Sequence, residues 1–356
     1  MFDEAKKGDR IIPNFTNVLK RLERNIQGLR IAYDKDLNLI DKFYGYGFFI
    51  DNQHIGHHLW NNLSALEILS LNDKLKIDSL FWITNEPTFH FGEITKLYNR
   101  DFNFIRYSNA EDLNAKCIEK GVVPISVVET YISKSLSTRI LNYSVNKEME
   151  YLASLNLNKY DIRFLVNFRC DNRSWINQIE EVTALVKALR CNYNYKILLV
   201  VDGWNKGEND KINLSTGKKS DIENKANSAY CKEIDLFNRL AERISTYCDT
   251  VNNIGCKVSR SIAVCESVDY YIAPWGAALS KYAWVCNTPG VVASNKYMYS
   301  DPEFQIYFSP KYVEKNTIVY PIDKNFIEGD SNKSRSSFYT KKDTLINLFS
   351  EKIMSL

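Results

Sequence analysis

Residues 269–295, DYYIAPWGAALSKYAWVCNTPGVVASN, carry the reading that decides the fold. The stretch opens on DYYIAPWG, an apolar run of strand length that lacks the alternation of a half-exposed strand, which predicts a strand buried on both faces. Trp275 and Gly276 turn the chain, AALSKYAWVC reads as a helix, and PGVVASN reads as the next strand. Strand, tight turn, helix and strand make up the building unit of a parallel sheet. Small residues at such a turn, here Ala277, Ala278 and Ser280, let a ligand approach the backbone. Unpaired amides where the helix begins favour an anion such as phosphate, and Ser280 and Lys281 add a hydroxyl and a cation. The same features also describe a closely packed turn that binds nothing.

The alternation continues outward from this stretch. IRFLVNFR (162–169) and YKILLVVDGW (195–204) read as strands, SWINQIEEVTALVKAL (174–189) and EIDLFNRLAERISTY (233–247) as helices. TVNNI is a short strand and SRSIAVCESV a helix, giving a doubly wound unit. GENDKINLSTGKKSDIENKANSAY (207–230) interrupts it as a polar, exposed loop, and EGDSNKSRSSFYTKK (328–342) reads as a second flexible segment. The first half alternates as well. Residues 13–29 form an amphipathic helix, RIAYD and YGFFID are strands, a helix follows from about His57, and KIDSLFWITN, DFNFIRYS and GVVPISVVE are three more strands. Residues 130–159 are helical and polar, which places a junction there. The expected organisation is an N-terminal α/β domain over 1–158 and a C-terminal α/β domain over 159–330. Residues 331–356 would form a flexible segment and a terminal helix that packs back across the junction.

Composition narrows the function. The chain has 356 residues, enough for two cores, with 45% hydrophobic and 25% charged residues. Lys plus Arg number 46 and Asp plus Glu 43, a net charge of +3 that is too balanced for a nucleic-acid binder. The 22 Tyr and 18 Phe suit filled cores as well as sugar-stacking surfaces. Eight cysteines occur without a CxxC pair, which argues against a zinc ribbon. The first residues show no apolar signal region and no run is long enough to span a bilayer, so free thiols in a reducing cytoplasm are expected. The terminal LINLFSEKIMSL is amphipathic but short and without a basic face, leaving peripheral contact with the inner face of a membrane as the weaker expectation.

Three motifs, in this order, give the chain a likeness: NFRCDNRSWINQIEEV at a strand end, SIAVCESVDYYIAP before the turn WGAALSKYAW, and PGVVASN after the next helix. Together they resemble the C-terminal donor domain of GT-B glycosyltransferases. The likeness is greatest to bacterial transferases of surface polysaccharide related to the glycosyltransferase 61 group. HIGHHLWNNLSAL (54–66) is similar to the group's N-terminal His followed by a Leu-aromatic pair. A departure lies at Trp275, where the group usually has a histidine before Gly. The resemblance implies two Rossmann-like α/β domains facing a cleft. It also implies transfer of a sugar from a nucleotide-sugar donor to an oligosaccharide or lipid-linked glycan acceptor, in capsule, lipopolysaccharide or other surface polysaccharide synthesis. The nucleotide sugar is a substrate, and no cofactor or metal is expected.

Beside the Trp275 turn, VNFRCDNRSW gains a role. Asn167, Arg169 and Arg173 follow a buried strand at its carboxyl end, where open α/β sheets bind ligands. Guanidinium groups there grip a diphosphate in bidentate fashion. Asp202, which ends a core strand, is placed to meet a ribose or sugar hydroxyl, though a turn Asp-Gly explains it nearly as well. The donor-side set is therefore Asn167, Arg169, Arg173, Asp202, Trp275, Gly276, Ala277, Ala278, Ser280 and Lys281.

Three of the chain's four histidines lie within five residues, at His54, His57 and His58. The positive end of a helix keeps an imidazole there neutral and able to accept the proton of an acceptor hydroxyl. His57 is the first candidate base and His58 the second, with Asp51 and Glu67 as weaker candidates for base or orienting partner. Two other readings stand beside this one: capping and packing against Trp60, and a metal held by His54, His57 and His58, which lacks a carboxylate or cysteine to complete it. The DxD at Asp34 and Asp36 is a weak metal signal. Three alternatives remain to glycosyl transfer. One is a GT-B-like transferase such as a pyruvyl transferase acting on polysaccharide, and another is a non-catalytic carbohydrate-binding partner. The third, a dehydrogenase, is the most distant because no GxGxxG follows a strand.

Overall fold

The computed structural model describes residues 45–50, 52, 54–71, 80–85, 90–126, 128–207, 219–315, 318–329 and 333–353. The helix expected over 13–29, the strand RIAYD, Asp34, Asp36 and Asp51 lie outside the described residues. By contact the chain groups into two compact units. The first takes in Trp60–Glu86, Asp101–Tyr131 and the strand Gly45–Phe49; the second takes in Asn52–Leu59, Pro87–Arg100 and Ile132–Leu356. This grouping differs from a single break after residue 158, because the histidine stretch and the helices Lys134–Lys147 and Met149–Ser154 count with the second unit.

The first unit is a four-stranded parallel sheet of β1 (Gly45–Phe49), β2 (Phe81–Asn85), β3 (Asn103–Tyr107) and β4 (Val122–Ser126), in the order β3-β2-β1-β4. Ile83, Ile105 and Val122 form its core with Cys117 of α1 (Ala110–Glu119), which packs on β3 and β4. Asn109 caps α1 by accepting the Asp112 amide at 2.9 Å, as an N-cap Asn does.

The second unit holds β5 (Ile162–Asn167), β6 (Ile197–Asp202), β7 (Asp249–Asn252), β8 (Tyr270–Pro274), β9 (Gly290–Ala293) and β10 (Val319–Pro321), all parallel, in the order β10-β9-β8-β5-β6-β7. Counted from β5, that order is 3-2-1-4-5-6, the doubly wound Rossmann arrangement. Both units are therefore Rossmann-like α/β sheets. Strand residues point alternately to two apolar layers. Phe164, Val166, Leu199 and Val201 meet Ile179, Val182, Leu185 and Leu189 of α3 (Gln178–Tyr193) and Leu240 and Ile244 of α4 (Lys219–Ile244). On the other layer lies α5 (Val258–Glu266), which packs against α2 (Lys134–Lys147) and the helix Ser280–Cys286. Burial on both faces is what the continuous apolar strands require.

Three expectations change. The segment read as a loop over 207–230 is helical from Lys219 onward, because nothing from Lys219 to Ile244 breaks a helix with Gly or Pro and its C-terminal half is anchored in the core. The segment read as flexible over 328–342 pairs in part, with Ile327–Glu328 antiparallel to Tyr339–Thr340, and its Phe338 is buried with its ring centroid 6.1 Å from that of Trp175. The terminal helix Thr344–Leu348 does not cross a junction. It packs on α3, with Leu345 and Phe349 buried in the second unit's own core. Among the described residues no helix is long and apolar enough to cross a membrane.

Candidate functional site

The strand order of the second unit reverses between β5 and β8, and the carboxyl ends of those two strands are where such a sheet binds ligands. Asn167 ends β5, and its carbonyl accepts Gln178 Nε2 at 3.0 Å, so it is a buried anchor for α3. The chain then carries Arg169 toward β8. Its guanidinium donates to Asp171 Oδ1 at 2.9 Å, Asn172 Oδ1 at 2.6 Å and the Trp275 carbonyl at 3.3 Å. The group lies directly on Gly276, where an added Cβ would stand 1.7 Å from Nη1. Gly276 is thus required by close approach. The guanidinium occupies the space above the backbone that any side chain would fill.

Arg173 sits beside it in a left-handed backbone conformation, φ 51°, which a non-glycine residue adopts at a cost. Its amide donates to the Arg335 carbonyl at 3.0 Å, and its guanidinium lies 4.9 Å from the centre of the Trp275 ring. Burial first, then the neighbouring Arg169 charge, lowers its pKa to about 10. Trp275 is held from three sides. Its amide donates to Ala293 at 2.7 Å, its indole N–H donates to Phe304 at 3.1 Å, and its ring meets Tyr307 edge-on at 5.6 Å. Ala277 and Ala278 follow, half-buried, in the turn that leads into a π-helix at Ser280–Cys286.

Asp202, Ser280 and Lys281 are placed differently from a donor-contacting set. All three are at most 1% exposed. Asp202 accepts from Lys281 Nζ at 3.0 Å, Tyr282 Oη at 2.5 Å, Asn205 Nδ2 at 2.9 Å and the Ser261 hydroxyl. Burial raises its pKa, but these partners, Lys281 foremost, outweigh it and hold the carboxyl below its ordinary range. Ser280 turns its hydroxyl onto the Ala277 carbonyl at 2.6 Å. The three therefore form the buried floor of the sheet edge and do not face a ligand. This differs from their expected role: Asp202 and Lys281 take each other as partners from far apart in the sequence, and Ser280 bonds the turn three residues before it.

The histidines separate. The helix begins at Ile55, widens to a π-turn over His58–Leu63 and tightens again over Ser64–Ser70. His58 is 1% exposed and packs on His90 at 5.5 Å and parallel to Phe91 at 6.3 Å, so it is removed from solvent chemistry. His57 is exposed. His54, three residues before it, is the one drawn to the arginines: burial first, then His57, Arg169 and Arg173, lower its pKa to about 4. Its ring lies 4.9 Å from that of His57, and it packs over Gly56, which in turn faces Ala277. So the histidine stretch and the Gly276 turn meet within one unit, through Gly56 and Ala277. Glu67 is buried in the first unit, within the helix Ser64–Ser70. Among the described residues no group of three or more His, Cys, Asp or Glu is arranged to hold a metal ion.

Sequence reasoning weighed His54 as a metal ligand or as a residue capping the helix, not as a neighbour of the arginines, and it missed Asn172, Tyr307, Asn295 and Arg335 at this edge. Asn295 had a readable signal, an Asn between a strand and a helix, where it caps the Met298 amide at 3.1 Å. Arg335 had none.

No protein-family model matches the sequence, and no curated protein matches it. Among solved structures the chain is similar to a glycosyltransferase family 9 protein from Veillonella parvula, at 10% identity and TM-score 0.41, over 79% of this chain and 86% of that one. It is similar to the E. coli heptosyltransferase WaaC with ADP, at 10% identity and TM-score 0.40, over 79% and 94%. The same enzyme with ADP-2-deoxy-2-fluoro heptose gives 11% identity and TM-score 0.41, over 87% and 99%. These likenesses concern the fold alone.

Proposed function

We propose that the chain is a glycosyltransferase that moves a sugar from a nucleotide-sugar donor to a glycan acceptor in surface polysaccharide synthesis. The observation that carries this reading is the surplus of cations where β5 and β8 end. Arg169 shares the edge with one carboxylate, the exposed Asp171, while Arg173 and Arg335 pair with none among the described residues. Such a site suits a diphosphate leaving group. The acceptor oxygen attacks the anomeric carbon, the bond from that carbon to the phosphate oxygen breaks, and the electron pair leaves on the diphosphate between the guanidinium groups. The acceptor proton goes to an imidazole, for which the exposed His57 is the candidate, with inversion as the outcome of direct displacement. No step in this scheme requires a metal. The likeness to the glycosyltransferase 61 group rests on the sequence motifs alone, and the glycan class of the acceptor follows from that likeness.

Calorimetry with UDP, GDP, CDP, CMP and ADP tests the reading. At least one nucleoside diphosphate binds, Arg173→Ala loses it, and His57→Ala keeps the affinity while turnover falls about 100-fold or more. Binding of free glycan with no nucleotide binding would replace this reading with that of a carbohydrate-binding partner.

A further inference from the structure

Asn295 leaves β9 and points its amide at the backbone of a segment far along the chain. Nδ2 donates to the carbonyls of Lys333 at 3.3 Å, Ser334 at 3.2 Å and Ser336 at 2.8 Å. The same segment is fastened from the other side: the Arg173 amide donates to Arg335 at 3.0 Å, Phe338 donates to Ser174 at 3.0 Å, and Ile176 donates to Phe338 at 2.9 Å. These bonds fix residues 333–338 along the loop that carries the site arginines. The side chain they present there is Arg335, which is exposed and pairs with no carboxylate among the described residues. The contrast with Arg163, Arg243 and Arg260 is plain, since each of those lies within 2.9 Å of an Asp or Glu oxygen. The Arg173 guanidinium itself reaches this segment, its Nη1 donating to the Ser334 carbonyl at 3.5 Å, one residue before Arg335. Three arginines thus share this edge, with Arg169 and Arg335 both near enough for their charges to act on Arg173.

We propose that residues 333–338 form a wall of the anion site, on which Arg335 is a third phosphate-gripping residue placed by Asn295, so that the three arginines select a diphosphate over a monophosphate. A single phosphate is satisfied by two forked guanidinium groups. A chain of two phosphates has oxygens left over for the third. The inference deepens the proposed donor site and rests on it for the nucleoside, but not for the phosphates.

Inorganic pyrophosphate and inorganic phosphate, titrated calorimetrically into the full chain beside UDP, GDP, CDP and ADP, give the test. The intact protein binds pyrophosphate at least tenfold more tightly than phosphate. Arg335→Ala lowers pyrophosphate affinity about tenfold and leaves phosphate within threefold, and Arg335→Lys recovers part of the loss. Asn295 is a positioning residue, so Asn295→Ala weakens pyrophosphate binding in the intact background and has no further effect in Arg335→Ala. Unchanged pyrophosphate affinity in Arg335→Ala, or an equal loss for both anions, overturns the proposal. If pyrophosphate behaves as expected while no nucleoside diphosphate binds more tightly than pyrophosphate, the wall stands and the nucleotide-sugar reading fails.

Discussion

Replacing Gly276 by alanine and Gly290 by alanine adds the same methyl group at two buried glycines, and the structure assigns them opposite consequences. At Gly276 the new Cβ would stand 1.7 Å from Arg169 Nη1 and 3.0 Å from Cζ. These atoms are the end of a flexible side chain, so the conflict is relieved by swinging the guanidinium away. The protein then loses the bond from Arg169 to the Trp275 carbonyl, about 1 kcal/mol or less in stability, and its melting temperature moves by about 2 °C. The anion site loses a charge-assisted contact worth about 1.5–3 kcal/mol, roughly a tenfold to hundredfold loss of nucleotide affinity. At Gly290 the new Cβ would stand 2.3 Å from two ring atoms of Tyr271, which is fully buried. That ring cannot leave, so the cost is overpacking of about 3 kcal/mol. The folded fraction of Gly290→Ala keeps its nucleotide affinity within about twofold, since the methyl lies at the start of β9 and the site lies at the other end. Differential scanning calorimetry and nucleotide titration on both variants separate the cases. Wild-type affinity in Gly276→Ala, or a stability loss there as large as in Gly290→Ala, would refute the placement of Arg169 on this turn.

Two further outcomes follow from the buried charges. Lys281→Met leaves the Asp202 carboxylate without its cation in a site at most 1% exposed, and urea denaturation shows a loss of about 3–5 kcal/mol; Asp202→Asn in the same chain restores part of it. Stability against pH carries two opposed contributions. His54 falls from 6.5 to about 4 on folding, chiefly through burial, so the unfolded chain holds more protons in that window and stability rises with pH across it. Glu233 is raised from 4.5 to about 8, again chiefly through burial, so the folded chain holds the extra proton and stability falls as pH rises from 4.5 to 8. Denaturation midpoints in half-unit pH steps show His54→Gln flattening the first slope and Glu233→Gln the second; a variant that leaves its slope unchanged shows that its residue is not the titrating group.

The strands were legible because a parallel sheet covered on both faces demands unbroken apolar runs, and IRFLVN, ILLVVD, YYIAP and GVVA each supply one. The turn at Trp275–Gly276 and the arginines after β5 were legible for a related reason: strand ends fix where ligands meet such a sheet, whatever the side chains are. The direction of a polar side chain at that edge was not legible. Asp202 and Lys281 are 79 residues apart, and only tertiary packing makes each the other's partner. His54 and His57 are separated by less than one helical turn, yet one ring is half-buried beside the arginines and the other is exposed. Arg173 sits at a positive φ that its residue type disfavours, so local propensity points away from its conformation. Periodicity failed at 219–230 because that stretch is polar, and its helix is carried by the buried half that follows.

Adjacent strand ends therefore treat charge in opposite ways. At β6 the carboxylate of Asp202 is matched inside the protein by Lys281, and at β5 the arginines outnumber the acids. If that surplus is what binds an anion, adding one negative charge on a side chain of the same shape must weaken binding. Asn172→Asp is that change. Asn172 Oδ1 already accepts Arg169 Nη2 at 2.6 Å, and an aspartate oxygen fits the same position with a stronger, charge-assisted bond. The bond lost is Asn172 Nδ2 to Asp171 at 2.9 Å, and the new carboxylate oxygen there repels that of Asp171, a surface effect of modest size because water screens it. The stronger Arg169 bond and the Asp171 repulsion offset each other, so stability changes by about 1 kcal/mol or less, while Arg169 is neutralised and nucleotide affinity falls about tenfold at low salt. The gap between variant and wild type narrows at about 0.5 M salt, where ions screen the added charge as they screen the arginines. Equal affinities at low salt would mean that shape, and not the excess of guanidinium charge, holds the ligand at this edge.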